Sequence, residues 1–347
     1  MFQTDSLHFL QSFASAPLTF LMRLFSWAGH REFIVLVFVI LLFGVNFRRG
    51  LLLMALVFWT ALLTDYAKDY VAYPRPFHVD NQLALLDNRM PAAESARIFK
   101  GGDAPTFWSA LPEEVVQHFR QSKEMIAYGF PSGHTSMAVA LWGGLMLLFW
   151  HRWLAPVYAL MLFFVPFSRL YLGVHFLGDL LGGYLLGGAL LGLAYGLVFR
   201  PARLHRFEQT GQFAFRDWPY FYAFWGLGLA VLPFIFQWED AALPGTLFGL
   251  HLAVLWFALW GMPALAATWG PRVLCMGLAV LLFVGITRGT GPLFGNHGWE
   301  KFIESALLNV VFLAGTMLLA SLLGLLRASG VPEKVGTRPL NSEGKNL

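Results

Sequence analysis

The sequence predicts an all-α, polytopic membrane bundle of about nine spans. Three observations carry this expectation. Hydrophobic residues make up 57% of the 347 positions and charged residues only 13%, a balance foreign to soluble domains. The apolar residues gather into runs near the length of about 20 residues that a helix needs to cross the hydrocarbon core. The charges between those runs separate by sign onto alternate turns.

Residues 6–25, SLHFLQSFASAPLTFLMRLF, are apolar but interrupted by Pro17 and small polar residues. They predict an interfacial helix rather than a span. The start, MFQTDSLHFL, lacks a basic leader and a small-residue cleavage site, so no cleavable signal peptide is expected. Spans are predicted over 27–47 and 51–70. A polar stretch, 77–130, follows; a loop this long is expected to be functional or disordered. Further spans fall at 134–151, 153–169 and 175–199. The loop RPARLHRFEQTGQFAFRDW then leads to 219–236, 247–268, 273–288 and 303–326. The implied divisions are an N-terminal segment 1–26, a core 27–200, a four-span extension 201–326 and a polar tail 327–347.

Arg48 and Arg49, His151 and Arg152, Arg200, Arg203, Arg206 and Arg216, and the tail's Arg327, Lys334, Arg338 and Lys345 all fall on one side of a nine-helix path. The opposite side holds the slightly acidic 77–130 stretch and Glu239 with Asp240. The positive-inside rule makes the basic side cytoplasmic, with the N-terminus outside and the C-terminus inside. The formal charge of +4 is thereby explained by loops, and no nucleic-acid partner is expected. Cys275 is the single cysteine, which excludes an intramolecular disulfide and a cysteine metal cluster.

Three polar islands interrupt the apolar text, all on the side opposite the basic loops. KDYVAYPRP (68–76) ends the second span with Lys68 and Arg75; by itself it reads as snorkelling cations. YGFPSGHTS (128–136) precedes the third span. Ser132 and Gly133 there open a helix whose free N–H groups suit an anion, beside His134. SRLYLGVHFLGD (168–179) links two spans. His175 and Asp179 are four apart and share a helical face. A carboxylate so placed can fix the tautomer and leave the second ring nitrogen as a nucleophile. Each island alone has a structural reading. Together they bring Lys68, Arg75 and Arg169, a hydroxyl, two histidines and a carboxylate to one membrane face, a set matched to a dianionic phosphate.

These residues resemble a known signature. Lys68, Arg75 and Pro76 (K-x6-RP), PSGH at 131–134, and Ser168, Arg169, His175 and Asp179 (SR-x5-H-x3-D) are similar to the type 2 phosphatidic acid phosphatase superfamily at eleven ordered positions. The superfamily includes lipid phosphate phosphatases, undecaprenyl pyrophosphate phosphatases, glucose-6-phosphatase, acid phosphatases and vanadium haloperoxidases. The resemblance covers about residues 25–200. It implies a metal-independent phosphohydrolase without a cofactor. His175 would be the nucleophile and Asp179 its orienter. His134 would be the leaving-group acid and then the base for water. Lys68, Arg75, Ser132, Gly133 and Arg169 would bind phosphate, and Ser168 would support the site.

Other polar residues receive structural readings. Asp65, one turn before Lys68, is expected to pair with it. His8, His30, His78, His118, His151, His205 and His251 have no partners by spacing. Phe107, Trp108 and Phe119 of the 77–130 stretch, and His297, Glu300 and Lys301 of a second loop, lie on the active-site side and are expected to be interfacial or to cover the mouth. A pocket at the membrane surface with apolar walls suits an amphiphile such as undecaprenyl pyrophosphate or phosphatidate, in a bacterial inner membrane with the site on the periplasmic face. A sugar-phosphate phosphatase of the glucose-6-phosphatase type and a lipid phosphotransferase are alternatives. A transporter with an inactive core is the reading from a different class.

Overall fold

The computed structural model describes residues 1–89, 99–121, 128–210, 227–235, 241–291, 293–295 and 298–327. In chain order the helices are α1 (Asp5–Gln11), α2 (Ala16–Trp27), α3 (Arg31–Val45), α4 (Phe47–Val71), the turn α5 (Pro76–Val79), α6 (Glu113–Gln121), α7 (Gly133–Leu148), α8 (Arg152–Tyr171), α9 (Leu177–Phe199), α10 (Pro201–Thr210), α11 (Gly228–Ile235), α12 (Ala242–Trp260), α13 (Trp269–Thr290) and α14 (Gly298–Leu322). Ala264–Leu265 and Leu326–Arg327 form a short antiparallel pair, with Ala264 opposite Arg327.

The fold is all-α, and six helices among the described residues are long and apolar enough to cross a membrane. These are α4 with α5, α8, α9, α12, α13 and α14. The helix at the predicted third span, α7, is apolar but shorter. Half of the predicted span 219–236 lies outside the described residues, which hold its 227–235 part, with a helix over Gly228–Ile235. The tail beyond 327, and Arg216, Glu239, Asp240 and His297, also lie outside them.

The first span differs from its expected form. It is a broken pair, α2 and α3, bent by 55°. The break falls at Ala28–His30, where His30 is extended (φ −88°, ψ 156°) and starts α3 anew. The segment predicted as one interfacial helix, 6–25, is therefore two helices, α1 and α2; α2 is half of the bent element and packs along α8. Stacked Phe25 and Phe164 rings, 4.8 Å apart, join the two.

Helix ends follow local chemistry. Asn46 caps α4 by accepting from the Arg49 N–H at 3.1 Å. At the other end Ala72 takes the left-handed conformation, φ 52°, and its N–H returns to the Lys68 carbonyl at 2.7 Å, an αL helix stop. Pro74 keeps the break open, and Pro76 takes the first position of the turn α5, with Arg75 before it as N-cap.

Small residues set how closely the helices approach. A β-carbon on Gly183 would lie 2.7 Å from the Ser132 carbonyl oxygen, and one on Gly187 would lie 2.8 Å from that of Ser136. This seam presses α9 onto the first turns of α7. In the extension, β-carbons on Gly245 and Gly249 would collide with the carbonyl oxygens of Phe302 and Ala306, so α12 and α14 touch backbone to backbone. Gly188 has nothing within 4 Å of the equivalent position. Gly187→Leu is therefore expected to lower thermal stability in detergent by about 1–3 kcal/mol or more, while Gly188→Leu leaves it unchanged. Equal melting temperatures for the two variants would refute the seam.

The bundle has two chemically distinct ends. At one, Arg49 grips Glu208 of α10 through Nε at 2.6 Å and Nη2 at 3.1 Å. Arg272 donates to the Gly44 carbonyl at 2.9 Å. The other end carries all three polar islands.

Candidate active site

Asp179 stands on the first turn of α9, and His175 lies in the short connection before it. Asp179 Oδ2 lies 3.0 Å from His175 Nδ1 and accepts the Phe176 N–H at 3.0 Å. Arg75 Nη1 lies 3.2 Å from His175 Nε2. A guanidinium has no lone pair to offer, so Nε2 is the acceptor and Nδ1 carries the hydrogen given to Asp179. The side chain that the spacing marked as a nucleophile thus presents its free lone pair on Nε2, beside a cation. Arg75 Nη1 is steadied by the Val174 carbonyl at 3.1 Å.

The PSGH turn docks directly on this pair. Ser132 N–H donates to the Asp179 carbonyl at 2.9 Å. Gly133 opens α7, and a β-carbon there would lie 3.4 Å from Lys68 Nζ. Lys68 is 3.9 Å from Asp65, the partner expected from their spacing. All three islands therefore meet at one end of the bundle. Ser168 is buried and its hydroxyl donates to the Val165 carbonyl of its own helix at 2.7 Å; this supports α8 from within.

The position of Arg169 depends on residues that the sequence reading did not single out. Its Nη1 donates to Asp87 Oδ2 at 2.8 Å and to the Ser26 hydroxyl of α2. Both ends of the Arg169–Asp87 pair are buried, with side chains 2% and 4% exposed. Burial alone would raise the Asp87 carboxyl, but the Arg169 charge and the hydrogen bonds from Arg89 N–H and Arg169 outweigh it. The net shift is below the ordinary carboxylate value.

His30, read as structural, reaches the site too. Its Nδ1–H donates to the Ser26 carbonyl at 2.8 Å, and the same nitrogen lies 3.3 Å from His134 Nε2. The two rings meet edge to face at 4.8 Å. The bend between α2 and α3 is what carries His30 there. Ser26 and His30 are four apart on the predicted apolar segment, a spacing that signals little without a partner. Asp87 sits in a loop with no periodicity.

Other histidines that spacing left unpartnered also find distant partners. His8 lies 2.7 Å from Asp80, His78 Nδ1 accepts the Arg75 N–H at 3.2 Å, and His251 accepts from Trp59 at 3.2 Å. These contacts tie elements together, so the structural reading of the three stands while their expected isolation does not. Phe119 is buried and stacks on His78 at 5.2 Å, whereas Phe107 and Trp108 are exposed.

Two buried donors in this cluster, the Ser132 hydroxyl and Arg169 Nε, have no hydrogen-bond partner among the described residues. Buried donors are costly when unpaired, and an anion accepted between them would satisfy both. The described residues contain no group of three or more His, Cys, Asp or Glu placed to hold a metal ion.

Comparison with known proteins is consistent with this geometry. Residues 49–203 match the sequence model of the PAP2 superfamily, a region that includes every island from Lys68 to Asp179. A 56-residue stretch, 16% of the chain, is 43% identical to a lipid A 4'-phosphatase of Bacteroides thetaiotaomicron. That stretch spans 25% of the relative's length. No solved structure matches the chain.

Proposed function

Because residues 49–203 match the sequence model of the PAP2 superfamily, we propose that the chain is an integral membrane phosphatase that hydrolyses a lipid phosphate or pyrophosphate. The observation that carries this reading is the oriented His175. Its Nδ1 is committed to Asp179 and its Nε2 lone pair faces Arg75.

The proposed reaction has two displacements. His175 Nε2 attacks phosphorus in line, and the bond from phosphorus to the leaving oxygen breaks. His134 delivers a proton to that oxygen. The phosphohistidine is then opened by water, whose proton His134 removes, and phosphate departs as Nε2 recovers its lone pair. Lys68, Arg75, Arg169, Ser132 and the Gly133 N–H hold the phosphoryl oxygens while charge moves. Positioning and electrostatics supply most of the catalysis in phosphoryl transfer. None of these steps requires a metal ion. Arg48, Arg49 and α10 at the opposite end support a site facing away from the cytoplasm, which in a bacterial inner membrane is the periplasmic face.

The test is phosphate release by purified protein from a panel of lipid pyrophosphates, lipid monophosphates and sugar phosphates, with EDTA present. Release from a lipid substrate, undiminished by EDTA, is expected. No release from any member by folded protein would overturn the phosphatase reading. Release only from sugar phosphates would overturn the lipid assignment, and loss with EDTA the metal independence.

A further inference from the structure

The C-terminal helices lie outside the region matched to the superfamily, yet they help to enclose a cavity of about 420 Å³ against its core. The volume falls within the range of about 300–1,000 Å³ typical of small-molecule sites. Its walls come from α3, α4 and α7 on one side and from α12, α13 and α14 on the other.

The cavity is graded along its length. Gly29, Arg31, Lys301 and Glu304 line the end nearest the active site. Lys301 and Thr290 both donate to Glu304, at 2.8 and 2.9 Å, so this rim is internally paired. Phe38, Phe58 and Phe312 line the deeper part. Lys301 and Phe312 are about 16 Å apart along α14 at 1.5 Å per residue. That depth is about half of a hydrocarbon core of about 30 Å.

Gly29 connects the cavity to the chemistry. It lines the cavity wall, and a β-carbon on it would lie 2.7 Å from His134 Cδ2. The next residue, His30, touches His134 directly. A molecule seated in the cavity would therefore be separated from the proposed leaving-group acid by the Gly29 backbone.

We infer that this cavity receives a hydrocarbon chain of the lipid whose phosphate is cleaved, so that the C-terminal extension supplies specificity for the lipid tail. The inference rests on the phosphatase reading. The polar rim matches the ester or sugar region of an amphiphile, the aromatic floor matches its chain, and the Gly29 wall lies against the proposed leaving-group acid, His134. Ala61 of α4 and Leu308 of α14 line opposite walls, so a larger side chain at either would fill the cavity without touching the phosphate-binding residues.

The experiment compares palmitoyl and butyryl forms of phosphatidate with wild-type protein and with Ala61→Trp and Leu308→Trp. The expected result is a loss of about tenfold or more in kcat/KM for the palmitoyl form, with the butyryl form unaffected. Retained butyryl turnover also shows that the variants fold. Equal palmitoyl turnover by wild type and both variants would overturn the inference. A second arm photo-crosslinks a diazirine-bearing palmitoyl phosphatidate to wild-type protein. Label recovered on 301–312 supports the cavity, and label confined to other segments overturns it. This arm decides if both variants fail to fold. It also separates the two readings: wild type that cleaves neither form but is labelled on 301–312 loses the hydrolysis of this lipid and keeps the cavity.

Discussion

His175→Ala is expected to abolish phosphate release, lowering turnover by a factor on the order of 10⁴ or more, as losses of an attacking group do. In the proposed mechanism the attacking lone pair is that of His175 Nε2, on a ring held by Asp179 on one side and Arg75 on the other. The residue also makes a pH prediction. Desolvation by burial, followed by the charges of Arg75, Arg169 and Lys68, holds the His175 imidazole well below its ordinary value of 6.5. In the proposed mechanism the neutral ring is the nucleophile, so a lowered value keeps it competent further into acid. The acid limb that His175 contributes to kcat/KM is therefore expected below pH 6.5. The same shift bears on stability. Below pH 6.5 the unfolded chain takes up a proton that folded His175 resists, so stability falls as the pH drops. An active His175→Ala variant would refute the nucleophile. A His175 titration, followed by NMR in the free protein, at or above 6.5 would refute the electrostatic account.

Asp87→Ala is expected to lower stability by about 3–5 kcal/mol, the usual cost of stripping one partner from a buried ion pair. It leaves Arg169 charged, buried and without its carboxylate. The kinetic signature should be a rise in KM together with a fall in kcat, since Arg169 is proposed to hold phosphoryl oxygens in both the ground and the transition state. Asp87→Asn retains an oxygen that can accept from Arg169 and should fall between wild type and alanine. The depressed carboxyl of Asp87 sets the pH range of the effect. Its stabilisation is fully present above the unfolded value of about 3.9 and is lost as pH falls through the folded value, which lies lower. The difference between wild type and Asp87→Ala should therefore persist from neutrality down to about pH 4. Unchanged melting temperature and kinetics for Asp87→Ala would remove Asp87 from the site.

The two predictions come from different sources. His175 was legible because its partner Asp179 is four residues away, one helical turn. Lys68, Arg75 and PSGH were legible because span counting placed them at the same end as His175. Asp87 was not legible. Its partner is far along the chain, and a lone aspartate in a polar loop carries no periodic signal. Ser26 closed the predicted N-terminal segment and His30 fell in the predicted first span as a structural histidine, since nothing local announced that the chain would bend by 55° and return them to α7 and α8. The bend at the start of the predicted first span escaped notice for the same reason: the break at Gly29 and His30 depends on what packs against each half.

The sequence by itself determined the fold class, the core helices on which the islands sit, the shared end of those islands and the eleven signature positions. These properties follow from hydropathy along the chain and from spacing within one turn, both local quantities. Only the tertiary structure decided what holds Arg169, what touches His134, and what the C-terminal helices enclose. Those are contacts between segments distant in sequence. They are selected by how closely helices can approach, as where Gly183 and Gly187 let α9 meet the backbone of α7. Buried donors and charges must find partners wherever that packing places them.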